Sequence, residues 1–132
     1  MPRVQWPLWQ NRPCVQVVLT VTATRQPLLR TLLADTGAGT RSGNFELILD
    51  DTDCQRCGGL PRRFVILHGA YTGRFRVYSI VVQLPALGFS QRLRVVGVPS
   101  VPGGFDGIAC FRFLNRFTYG NFGDPGQFGL EC

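Results

Sequence analysis

A chain of 132 residues is long enough for one compact domain and too short for two ordinary ones. Its 45% hydrophobic and 17% charged residues exclude a disordered or acidic-tail protein, and 16 Gly with 9 Pro predict many turns between short elements. The net charge of +6 comes from 14 basic residues, all Arg, and the one His rules out a two-His metal site within a chain.

In chain order, Met1 to Pro13 is rich in Trp, Pro and Gln and lacks an apolar signal core. With no run of about 18 apolar residues anywhere, the expectation is a soluble cytoplasmic protein without membrane contact. Residues 15–21 place Val15, Val17, Leu19 and Val21 on one face and Gln16 and Thr20 on the other, a half-buried strand. The apolar run 30–34 stops at Asp35-Thr36-Gly37-Ala38-Gly39, where the glycines mark a tight loop. Residues 45–49 read as a short strand, followed by an acidic turn at 50–53 and a loop at 54–59. Residues 64–68 and 74–84 flank Gly69-Ala70-Tyr71-Thr72-Gly73 as a hairpin. The second arm shifts phase near Tyr78, which predicts a bulge or a strand that leaves the body of the sheet. Residues 92–98 are another strand. A helix is expected at about 109–118, with Cys110, Phe113, Leu114 and Phe117 on one face, and 126–131 reads as a last strand. The chain is thus predicted to be a single all-β domain, 1–132, with one short C-terminal helix.

Asp35-Thr36-Gly37-Ala38 is the most informative stretch. A carboxylate follows an apolar strand directly, Thr36 can brace the turn, and Gly37 permits close backbone approach. Alone, the triplet equally fits a loop Asp that bonds its own turn. The order of features carries more: apolar strand, D-T-G-A, Gly-tipped hairpin, strand, then Phe105-Asp106-Gly107-Ile108-Ala109 before Phe113-Leu114.

Over residues 15–118 this order resembles the retropepsin-like aspartic proteases. The resemblance implies a closed β-barrel that is half of a two-fold symmetric dimer. It implies catalysis by Asp35, Thr36 and Gly37, with substrate held by Ala38 and by a flap at Gly69, Ala70, Tyr71, Thr72 and Gly73. Of the six Asp residues only Asp35 lies in such a motif, so a site of two carboxylates requires a homodimer. The N-terminal segment 1–13 and the tail 119–132 are then expected at the dimer interface.

The sequence departs from the family in three places. Cys110 stands where a Gly is usual, Gly39 or Thr40 and Phe111 replace the usual bracing acid and Arg, and 50–63 has no counterpart. Arg112 or Arg41 is a candidate for a substitute ion pair. No cofactor or metal is expected: Cys54-x-x-Cys57 offers two of four zinc ligands, and reduced thiols are the simpler reading. Expected partners are a second copy and a peptide or protein substrate. Two alternatives stand beside the protease: a catalytically silent peptide-binding module on the same fold, and a basic barrel that binds single-stranded nucleic acid. The dispersed arginines disfavour the last.

Overall fold

The computed structural model describes residues 1–41 and 43–132. Ten strands dominate it: β1 (Arg3–Pro7), β2 (Cys14–Thr20), β3 (Pro27–Ala34), β4 (Leu47–Asp50), β5 (Arg63–His68), β6 (Thr72–Leu84), β7 (Phe89–Val98), β8 (Gly107–Ala109), β9 (Thr118–Gly120) and β10 (Gln127–Glu131). Helix α1 (Asp51–Gly58) follows β4, and α2 (Phe111–Leu114) follows β8. Among the described residues no helix is long and apolar enough to cross a membrane.

Strand order β2-β3-β8-β4-β7-β6 closes through a β2–β6 pairing at Val18 and Gln83, giving a six-stranded barrel with β5 hydrogen-bonded outside it to β6. The interior follows the alternation of β2, whose Val15, Val17 and Leu19 are fully buried against Leu32, Leu49, Ile80 and Val95. Each such side chain contributes about 1.5–3 kcal/mol by leaving water. A second apolar cluster lies outside the barrel wall. It joins Ile48, Val77, Val96, Val98 and Cys110 with Ala38 on one side and Val65, Leu67, Tyr71 and Phe75 on the other.

The two clusters explain the phase shift in β6. Its register against β7 runs without interruption from Arg76–Gly97 to Leu84–Phe89, so there is no bulge. Val77 faces the outer cluster and Tyr78 the barrel interior, because the strand leaves the barrel here to pair with β5.

Two sequence expectations are corrected. The acidic turn and loop at 50–59 is largely helix α1. Asp50 caps it by accepting from the Thr52 N–H (2.9 Å), Asp51 and Asp53 sit in the first turn, and Gly59 at φ 71° ends it. Cys54 and Cys57 point inward from this helix and are buried. Bidentate contacts from Arg30 to Asp53 (2.7 and 3.0 Å) strap the helix to β3. The helix expected at 109–118 is the single turn α2. Ala109 pairs in parallel with Ala34 instead, as Ile108 does with Leu33, and Thr118 enters β9. The predicted apolar face persists: Cys110, Phe113 and Leu114 are fully buried, and the Phe113 and Phe117 rings stack edge-on at 5.4 Å.

The chain ends form their own sheet, β1-β10-β9. Strand β1 was not anticipated, since its pairing with β10 spans nearly the whole sequence. Trp6 is buried against the protein's own core, whereas Trp9 is 47% exposed.

Candidate functional site

Strand β3 delivers Asp35 to the rim of a cleft. Parallel pairing with β8 continues one step past Ala34, where the Asp35 N–H donates to the Ala109 carbonyl (3.0 Å). The loop then closes on itself. The Gly37 N–H donates to Asp35 Oδ1 (2.9 Å) and the Ala38 N–H to the Asp35 carbonyl (3.2 Å). The Phe111 N–H donates to the Ala38 carbonyl (2.8 Å), which ties the far end of the loop to α2. Both ends of the D-T-G-A stretch are therefore held by β8–α2. Asp35 is half-buried, and its Oδ2 has no partner among the described residues.

The hairpin β5–β6 closes the other side. A cleft of about 460 Å³ lies between the two, lined by Asp35, Gly37, Ala38 and Gly39 below and by Val65 through Tyr71 above. Among the described residues Asp35 is the one carboxylate on its wall. Of the residues expected from sequence, Asp35, Gly37, Ala38, Gly69, Ala70 and Tyr71 come together on this cleft. Thr36 is exposed beside it, and Thr72 and Gly73 lie behind the hairpin tip. Thr72 Oγ1 donates to the Gly69 carbonyl (3.1 Å), and Gly73 at φ 125° adopts a backbone few other residues allow.

Tyr71 holds the tip down. Its hydroxyl donates to the Ser100 carbonyl (3.1 Å), its ring meets Phe75 edge-on at 6.2 Å, and burial pushes its phenol pKa up. Phe45, Ile48 and Ile108 form an apolar floor, and His68 stands at the rim. Sequence reasoning did not assign these four to the site. The alternation of 64–68 would have placed Val65 and Leu67 on one face, but nothing local said that this face met Ala38.

The two departures behind the loop are resolved by packing. Cys110 needs no glycine backbone, since its φ of −85° and ψ of 169° are ordinary extended values. Its side chain is fully buried, and the room comes from Gly39, where an added Cβ would stand 3.7 Å from the Cys110 Cβ. Burial, with the nearby Asp35 and Glu46 charges, pushes the Cys110 thiol up to about 12. Among the described residues neither Arg112 nor Arg41 makes an ion pair. Arg112 donates to the Gly43 carbonyl, and Arg116 pairs with Glu46. Glu46 is 4% exposed, its carbonyl accepts from the Cys110 N–H (3.0 Å), and its side chain takes a bidentate contact from Arg116.

No protein-family model matches the chain, and a search of the curated proteins finds no match.

Proposed function

We propose that the protein is a retropepsin-like aspartic endopeptidase, active as a homodimer that brings two Asp35 carboxylates together. The observation that carries this reading is the cleft itself: an incompletely satisfied carboxylate on a Gly turn, facing an apolar floor and roofed by a Gly-bounded hairpin. In this reading an extended peptide lies beneath residues 69–71 and bonds along its main chain. The two carboxyl groups share one proton. The ionised one takes a proton from water, the hydroxide attacks the scissile carbonyl carbon, and the protonated one donates to the carbonyl oxygen. Collapse of the tetrahedral intermediate then expels the amine with a proton from the dyad. Paired aspartic-protease carboxylates are a standard example of such proton sharing.

The second chain is proposed to dock beside the Asp35 loop. The Ala34 N–H donates to the Pro13 carbonyl (3.0 Å), so the end of the N-terminal segment borders this loop, and the sheet β1-β10-β9 continues from it. The test is proteolysis of an unfolded protein across a pH series, wild type against Asp35→Asn, with sedimentation of the same samples. The expected result is cleavage at acidic to near-neutral pH by a dimer, lost in the variant. Cleavage that survives Asp35→Asn, or an optimum well into the alkaline range, would overturn the mechanism. A verified dimer that cleaves nothing would turn the reading to a peptide-binding module on the same cleft.

A further inference from the structure

Arginines that are dispersed in the sequence converge on the outer face of the barrel. Arg62 and Arg63 enter from the start of β5, and Arg92 and Arg94 from β7. They surround Ser79 of β6, which pairs with Arg94 and forms the floor because its side chain is short. The result is a hollow of about 330 Å³ lined by these four arginines and Ser79 together with Val77 and Tyr78, and Arg92 donates to the Ser79 carbonyl (3.4 Å). All four side chains are exposed, and among the described residues none has a carboxylate partner.

The protein's own acids do not reach the hollow. Glu46, Asp51, Asp53 and Glu131 are engaged by other arginines. Asp35, Asp50, Asp106 and Asp124 each accept a backbone N–H in their own turns or from a neighbouring strand. That accounts for all eight acidic residues of the chain. Four like charges within one hollow repel one another, and the neutralising charge must come from outside.

We propose that this hollow binds a chain of phosphates, as carried by a single-stranded nucleic acid or by inorganic polyphosphate. Guanidinium groups match phosphate oxygens with paired N–H donors, one arginine to each phosphate. Val77 and Tyr78 are buried behind the arginines and Ser79, so the hollow has little with which to read a base, and binding is independent of sequence. The site is separate from the Asp35 cleft, and its test does not depend on proteolysis.

The experiment is fluorescence anisotropy with a labelled oligo-dT, in competition with inorganic polyphosphate and with oligoglutamate of equal charge. Four neutralised phosphates predict a slope of about −2.8 for log K against log salt, hence about 50-fold weaker binding at 200 mM than at 50 mM salt. The pairs Arg62→Gln/Arg63→Gln and Arg92→Gln/Arg94→Gln should each halve that slope. The control Arg12→Gln/Arg25→Gln, neither of which lines the hollow, should leave it unchanged. Competition by polyphosphate assigns the site to phosphate chains in general, and its failure beside tight oligo-dT binding assigns it to nucleic acid. No binding at 50 mM salt, a slope that survives both pairs of substitutions, or oligoglutamate competing as well as polyphosphate would overturn the proposal.

Discussion

Glu46 and Arg116 stand 70 residues apart in sequence and meet through two contacts, Nε to Oε2 at 2.5 Å and Nη2 to Oε1 at 2.8 Å. The pair is asymmetric: the Glu46 side chain is 5% exposed and that of Arg116 38%. Arg116→Ala therefore strands a buried carboxylate and is expected to cost about 3 kcal/mol, the low end for a broken buried pair, because Arg116 is partly in water. Glu46→Gln leaves an arginine that can reach solvent and keeps an acceptor, so about 1 kcal/mol is expected. Urea unfolding of both variants checks the order. Equal costs would mean that Glu46 is not enclosed as described.

What was legible in the sequence follows from how local each signal is. The alternation of 15–21, the Gly-bounded hairpin and the D-T-G-A loop are carried by neighbouring residues, and each sits where expected to within a few positions. The Glu46–Arg116 pair had no such signal. Glu46 lies within the predicted strand 45–49 and Arg116 within the predicted helix 109–118, and only the fold joins them. Helix α1 was misread because Asp50-Asp51-Thr52-Asp53 are all turn residues, although Asp at a cap followed by an acidic first turn is also how a helix begins. Ala109 suits a helix, but pairing with Ala34 of β3 overrode that preference.

If each chain supplies one Asp35, mixing tests the pairing directly. Wild type and Asp35→Asn, mixed equally and allowed to exchange subunits, should leave about a quarter of dimers with two carboxylates. Activity should then fall to about half that of the same mixture before exchange, as followed by initial cleavage rates. A mixture whose rate does not change while exchange is verified would mean that one Asp35 suffices.

Gly107 sits in β8 beneath the Asp35 loop, with no space for a side chain. An added Cβ would lie 2.5 Å from Leu49 Cδ2 and closer still to the Ile48 carbonyl, which strand pairing holds in place. Gly107→Ala is expected to cost about 3 kcal/mol by overpacking. At Gly69 nothing lies within 4 Å of an added Cβ. Gly69→Ala should therefore change stability by less than about 0.5 kcal/mol. Thermal or urea unfolding compares the two, and a tolerated Gly107→Ala would argue against the β3–β8–β4 packing that positions Asp35.

Buried thiols give the fold an alkaline limit. Cys110 is pushed from its ordinary 9.0 up to about 12, first by burial and then by the charges of Asp35 and Glu46. Burial, aided by Asp51 and Asp53, pushes Cys54 up as well. Below pH 9 both thiols are protonated in the folded and the unfolded chain, so their contribution is fully present. Above it the unfolded chain ionises first, and stability falls as pH rises toward the folded values. The slope approaches about 1.4 kcal/mol per pH unit for each thiol. Cys110→Ala removes one such group, at a cost of about 1 kcal/mol near neutral pH for the small void it leaves. The variant should therefore be the less stable protein at pH 7.5 and close the gap or overtake wild type by pH 10, before the raised tyrosines Tyr71 and Tyr78 contribute fully. Urea unfolding at a series of pH values reads the difference, and a gap that stays constant would show that Cys110 ionises as freely in the folded chain as in the unfolded one.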